Sequence, residues 1–229
     1  MPIDYHFQEL EIALDPFNPK RAQPPISPKH KRILDVGCGM GQTLLAAGLP
    51  SDVEAFGVDL DQEAIETGQR LAPSNIHLQV SPGDRLPFAD GTFDFVFCRV
   101  ALPLMPIART LAEMQRVLRP GGDLWLMLHN LSFNLEMLRT AIRHLDFGKV
   151  LGRSYVLASG ALFNILGWQL SLFGRHETFQ TPGGIRRALE RTGFGDIVVE
   201  QSPHLTASAQ KLGLRPYEDE PHQVLGSVR

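Results

Sequence analysis

Cysteine is nearly absent: Cys38 and Cys98 are the only two in 229 residues, too few for a disulfide framework, and a reducing, cytoplasmic setting is expected. No zinc-type spacing links them to histidines, so no metal is expected, and Ser, His and Asp are too dispersed to argue a nucleophilic triad. Basic excess is missing as well. With 22 Lys and Arg against 25 Asp and Glu, the net charge is −3, where a nucleic-acid surface would show a basic stripe, so no nucleic acid is expected as a partner. The one basic cluster, Lys29-His30-Lys31-Arg32, reads as a solvated edge. No charged region followed by an apolar core opens the chain, so no secretory signal is expected. Charge of either sign is missing from Tyr155 to Gly174, between Arg153 and Arg175. That run is long enough for a membrane span, but Ser159, Gly160, Asn164, Gly167, Gln169 and Ser171 dilute it.

Against these absences stands Ile33-Leu34-Asp35-Val36-Gly37-Cys38-Gly39-Met40-Gly41-Gln42, an apolar strand running into an acid and three alternating glycines. Glycine reaches positive φ without a Cβ penalty and lets a ligand lie against the main chain. Helix-compatible residues follow, so the segment reads as strand, turn and helix N-terminus, a geometry suited to nucleotide-like ligands. A dinucleotide fingerprint needs a sixth-position glycine. Here that position is Gln42, which disfavours a pyrophosphate.

Later segments extend the pattern. Val53 to Asp61 reads as a second strand, and Asp59 falls about 20 residues after the turn, where βαβ geometry places a ribose-binding carboxylate. Asp61 reads as the cap of the helix that follows. Further on come Ser81-Pro82-Gly83-Asp84-Arg85-Leu86-Pro87-Phe88-Ala89-Asp90-Gly91-Thr92-Phe93-Asp94-Phe95-Val96 and Arg116-Val117-Leu118-Arg119-Pro120-Gly121-Gly122-Asp123-Leu124-Trp125-Leu126. Together the four segments, spanning Lys31 to Leu128, resemble the class I S-adenosylmethionine-dependent methyltransferases, and within them the small-molecule enzymes of the ubiquinone/menaquinone-methyltransferase type. The resemblance implies S-adenosyl-L-methionine as cofactor, held by Asp35, Gly37, Cys38, Gly39, Gly41, Asp59, Leu60, Asp84, Arg85 and Arg99, with Asp84 on the adenine amino group. Arg99 has three open roles: the methionine carboxylate, an anionic acceptor, or solvent.

Strands near 32–36, 54–58, 76–80, 93–97 and 122–128 alternate with helices, and closing strands near 196–200 and 205–209 follow a helix at 184–192. The expected fold is α/β: a doubly wound, mostly parallel seven-stranded sheet of the Rossmann-like methyltransferase kind, with ligands beyond the carboxyl ends of the strands. Both cysteines are expected to face that crevice. Residues 1–30 read as a short helix and proline-rich arm, 31–214 as the methyltransferase domain, and 215–229 as a polar tail.

The unusual feature is residues 131–180, read as a helical cap insert. Leu131, Leu135, Leu138 and Ile142 form a helical stripe expected to be buried, with Arg139 and Arg143 opposite. Three roles stay open for the insert: a cap over the site, a homodimer contact, or a lipid-facing surface. The cap suggests an apolar small-molecule acceptor. Orientation alone can supply much of the rate, so a general base is optional. If one is used, His129 at the end of the fifth strand is the candidate, its alternative role being a hydrogen bond to Asn130 or a loop carbonyl. His144, Tyr155, His176 and Glu177 are weaker candidates. The function implied is methyl transfer by in-line displacement to a small lipophilic metabolite. The alternatives are a cofactor-binding scaffold without turnover and, less favoured because Cys98-Arg99-Val100-Ala101-Leu102 lacks the Asn/Asp-Pro-Pro-aromatic run, a nucleic-acid or protein methyltransferase.

Overall fold

The computed structural model describes residues 2–129, 131–172, 174–202 and 204–213; the expected tail at 215–229 lies outside them. Helix α1 (Ile3–Leu14) comes first, followed by β1 (Arg32–Val36), α2 (Gln42–Ala46), β2 (Glu54–Asp59), α3 (Gln62–Leu71), β3 (Ile76–Val80) and β4 (Phe93–Arg99). A single 3₁₀ turn (Leu102–Leu104), α4 (Ile107–Val117) and β5 (Leu118–Leu128) come next. The chain continues through α5 (Leu131–Arg143), α6 (Phe147–Leu166), α7 (Pro182–Arg191), β6 (Phe194–Glu200) and β7 (Leu205–Lys211). The strands form one sheet of order β3-β2-β1-β4-β5-β7-β6. All pairs are parallel except those made by β7, which is antiparallel to both β5 and β6.

Burial explains why these segments become strands. In β4 every residue from Phe93 to Cys98 is buried, as expected of a central strand covered on both faces. Successive side chains go to opposite faces. Leu34, Val96 and Leu126 join one core cluster, and Ile33, Phe95, Phe97 and Trp125 join the other. The edge strand β6, after the buried Phe194, alternates half-buried with exposed positions. Helix starts follow their caps: Asp61 Oδ1 accepts from Ala64 N at 3.1 Å, Asp146 Oδ1 from Lys149 N at 3.0 Å, and Thr181 Oγ1 from Gly184 N at 3.2 Å.

Several details differ from the sequence reading. Strand β5 begins at Leu118 because its pairing with β4 jumps from Phe93↔Leu118 to Phe95↔Asp123, looping out the Pro-Gly-Gly turn where Gly121 takes φ 74°. His30 is no solvated edge. Its ring stacks on Phe95 at 4.5 Å and its Nε2 lies 2.9 Å from the Asp123 carboxylate. Cys98 lies within the core and not at the crevice. In α5 only Asn134 and Ala141 are buried, so the stripe expected to be covered is open: Leu131, Leu135 and Ile142 are exposed. Among the described residues no helix is long and apolar enough to cross a membrane.

Candidate active site

Strand order reverses at β1, whose neighbours are β2 on one side and β4 on the other. Loops leaving the carboxyl ends of these strands diverge there and open a crevice. It holds a cavity of about 510 Å³ lined by, among others, Asp35, Gly37, Cys38, Gly39, Asp59, Leu60, Asp84 and Arg99, eight of the residues named from the sequence. Gly41 and Arg85 are off the lining. Gly41 closes the turn, its N–H donating to Cys38 O at 2.8 Å, and Arg85 is exposed.

The glycines are required by conformation and by space. Gly37, Gly39 and Gly41 have φ of 80°, 57° and 79°. A Cβ on Gly37 would lie 2.3 Å from the Ala101 Cβ, and one on Gly39 would lie 2.6 Å from His6 Nδ1. The loop is also tied to the second acid: Asp59 Oδ2 accepts from Gly39 N at 2.8 Å and Oδ1 from Asp61 N at 3.0 Å. A carboxylate oxygen can accept further bonds, so Asp59 is held in place with capacity for a ligand diol.

Asp35 is the electrostatic centre of the cavity. It is buried, and its Oδ1 has no hydrogen-bond partner. Burial raises its pKa to about 8, opposed by Arg99 and reinforced by Asp59. An orphaned buried carboxylate beside a glycine cradle fits a ligand carrying positive charge and lying against the main chain. The Cys38 thiol is pushed well above its ordinary range by burial and then by Asp35 and Asp59, so it stays neutral.

Two further segments complete the lining, of which only the first had no signal in the sequence. Helix α1 lies over the glycine turn, bringing Tyr5 and His6 to the lining, and Arg99 Nη2 donates to Glu9 Oε2 of α1 at 2.5 Å. This pairing replaces the solvent role left open for Arg99. Burial, with help from Glu9, raises the Tyr5 pKa, keeping its hydroxyl a donor. Leu104, Met105 and Pro106 add apolar residues to the lining, with Gly174 and His176, and Met105 lies so close to the turns that a Cβ on Gly37 or Gly83 would come within 3 Å of its side chain. Gln169 staples these two parts of the lining: its Oε1 accepts from Ile107 N at 2.9 Å, and its Nε2 donates to Met105 O at 2.9 Å and to His176 O.

The insert thus caps the cavity only through Gly174 and His176; no residue of α5 or α6 reaches the lining. His129 is also off it. Its ring stacks on Phe133 at 4.9 Å, its carbonyl accepts from Gln180 N, and burial lowers its pKa, opposed by Glu177. Asn130, its expected partner, lies outside the described residues. Tyr155 Oη reaches the carbonyls of Leu170 and Arg175 at 2.7 and 2.8 Å, Glu177 pairs with Arg153 at 2.7 Å, and His144 is exposed. Of the weaker candidates only His176 lines the cavity.

Known proteins resemble this chain in sequence and in fold. Residues 33–122 match a family described as a methyltransferase domain. The chain is 40% identical over 99 residues to the ubiquinone/menaquinone biosynthesis C-methyltransferase of Geotalea daltonii, covering 40% of this chain and 42% of that protein. It is 43% identical over 176 residues to the demethylmenaquinone methyltransferase of Symbiobacterium thermophilum, covering 73% and 64%. The chain therefore spans about half the length of the curated relatives it matches. A solved S-adenosylmethionine-dependent methyltransferase of Methanosarcina mazei shares the fold at TM-score 0.53 and 21% identity, covering 82% of this chain and 94% of that one.

Proposed function

From the premise that this chain carries a class I S-adenosylmethionine-dependent methyltransferase domain, we propose that it transfers a methyl group to a small apolar acceptor, a reduced quinone-like ring. The observation that carries the reading is one cavity lined by two unlike sets of residues. Asp35, Gly37, Asp59 and Asp84 supply polar groups at the strand ends, and Leu104, Met105 and Pro106 supply apolar surface. The quinone class is supported by the names of the relatives, C-methyltransferases of ubiquinone and menaquinone biosynthesis among them. Two unpaired cysteines fit a reducing, cytoplasmic setting.

Asp59 would take the ribose hydroxyls, Asp84 the adenine edge, and the orphaned Asp35 carboxylate the cationic methionyl end. When bound, S-adenosylmethionine supplies a methyl on a sulfonium, a leaving group that needs no protein acid. The chain's task is then orientation, worth about 7–11 kcal/mol when donor and acceptor meet in attack geometry. The Leu104 to Pro106 wall holds the acceptor ring flat against the site and excludes water. His176 is assigned the acceptor's proton in place of His129, because it alone of the two lines the cavity. An imidazole is suited to that transfer near neutral pH.

The test is transfer of labelled methyl from S-adenosylmethionine to a demethylated naphthohydroquinone. Label on a ring carbon is expected, with His176→Ala losing about 10²-fold or more in turnover while keeping cofactor affinity and His129→Ala staying active. Bound but unconsumed cofactor across reduced quinones would overturn the acceptor class. Full activity in His176→Ala would remove that residue from the proton path.

A further inference from the structure

Helix α6 exposes what a folded monomer ordinarily buries. Val156, Ser159, Gly160, Phe163 and Asn164 pack inward. On the opposite side Phe147, Leu151, Ser154, Ala158, Ala161 and Ile165 all face out, and Phe147, Leu151 and Ile165 are 80%, 75% and 74% exposed. The spacing of these six alternates four and three residues, the period of a helix-packing seam, and none is charged. An exposed apolar stripe of this length marks an interaction surface. For α5 and α6, which do not line the cavity, two of the insert's three open roles remain: a second copy, or lipid.

We infer that the outer stripe of α6 is a homodimer seam, in which α6 packs antiparallel against α6 of a second copy across a two-fold axis. The stripe is self-complementary in that arrangement and in that direction. Reversing it about its centre places Phe147 against Ile165 of the second copy, Leu151 against Ala161, and Ser154 against Ala158, so the bulky residues meet at the ends and small meets small at the middle. Isologous pairing requires such a match. Small central residues let helix axes approach to about 8 Å. A helix of 20 residues gives a seam about 30 Å long. The neighbouring α5 also exposes Leu131, Leu135 and Ile142, apolar surface that a second copy could cover, where each partner of a stable complex buries roughly 800 Å².

Charge argues against lipid as the occupant. Interfacial helices flank their apolar face with free cations, but among the described residues three of the four cations of α5 and α6 are engaged, Arg143 being the exception: Lys149 lies 2.9 Å from Asp146, Arg153 2.7 Å from Glu177 and Arg139 3.9 Å from Glu136. Ser154, Ala158 and Ala161 also offer lipid little apolar volume where the stripe is most central.

Sedimentation of the full chain tests the inference. A species of twice the 25.4 kDa chain mass is expected, and Ala158→Arg, at a solvent-facing position, should weaken the dimer at least about tenfold with an unchanged circular dichroism spectrum. Direction is read by cross-linking. The Ser154→Cys/Ala158→Cys double variant should form an inter-chain disulfide under mild oxidant while Phe147→Cys does not, against a background set by two buried native cysteines. A parallel seam would give the Phe147→Cys cross-link and overturn the register. A monomer at all concentrations, or binding to anionic phosphatidylglycerol vesicles that Ala158→Glu abolishes, would overturn the dimer.

Discussion

Asp35 is where a single residue most affects behaviour. Buried with one orphaned oxygen and a pKa raised to about 8, it is largely protonated at neutral pH. A cationic ligand beside it favours the carboxylate, so binding must release a proton. S-adenosylmethionine affinity should rise up to about tenfold per pH unit between roughly pH 6 and 8 and level off above; titration calorimetry in buffers of different ionisation enthalpy measures both effects. Asp35→Asn should flatten the rise, and an unchanged slope in that variant would take Asp35 out of the contact. The same group makes free-protein stability fall with pH. Its folded pKa exceeds the unfolded one, so its contribution is complete below about pH 4 and lost as pH climbs through 8. The acids and glycines around Asp35 were legible because a turn with positive φ and a carboxylate some 20 residues later are local features of the chain. His129 misled for the opposite reason. Its place at a strand end is local, but the direction of its ring is set by Phe133 on the following helix, and no spacing reports that.

Among the elements, the seven strands were readable and the insert was not. Each strand is a short buried or alternating run bounded by turn residues, and β1 to β4 appeared close to where the sequence placed them. Helix α5 carries the stripe Leu131, Leu135, Leu138 and Ile142 that amphipathicity assigns to a core, yet much of it is exposed; periodicity tells that a face wants cover, not what covers it. How α6 is anchored can be tested directly. Gly160 faces Phe179 so closely that an added Cβ would lie 2.1 Å from its ring, while a Cβ on Gly152 of the same helix meets nothing within 4 Å. Gly160→Ala should therefore cost about 1–3 kcal/mol by overpacking, lowering the melting temperature by roughly 2–4 °C per kcal/mol. Gly152→Ala should instead gain up to about 1 kcal/mol of helix propensity. Thermal unfolding followed by circular dichroism reads both, and equal shifts would mean that α6 does not dock on Phe179.

For the whole molecule, alternation of strand and helix implied a doubly wound sheet, and the order β3-β2-β1-β4-β5-β7-β6 puts Asp35, Asp59 and Asp84, far apart in sequence, on one cavity. The closing of that cavity by α1 was hidden, because a helix followed by a proline-rich arm gives no sign of where it docks. The site that results joins acids at the strand ends to apolar residues at and after the 3₁₀ turn, with Gln169 tying these to the segment after α6. Calorimetric titration of S-adenosylmethionine into the full chain and into Asp59→Ala bears on this arrangement most directly. One saturable site per chain, weakened at least about tenfold in Asp59→Ala, is expected; no saturable binding to the unaltered chain, or equal affinity in the variant, would contradict it.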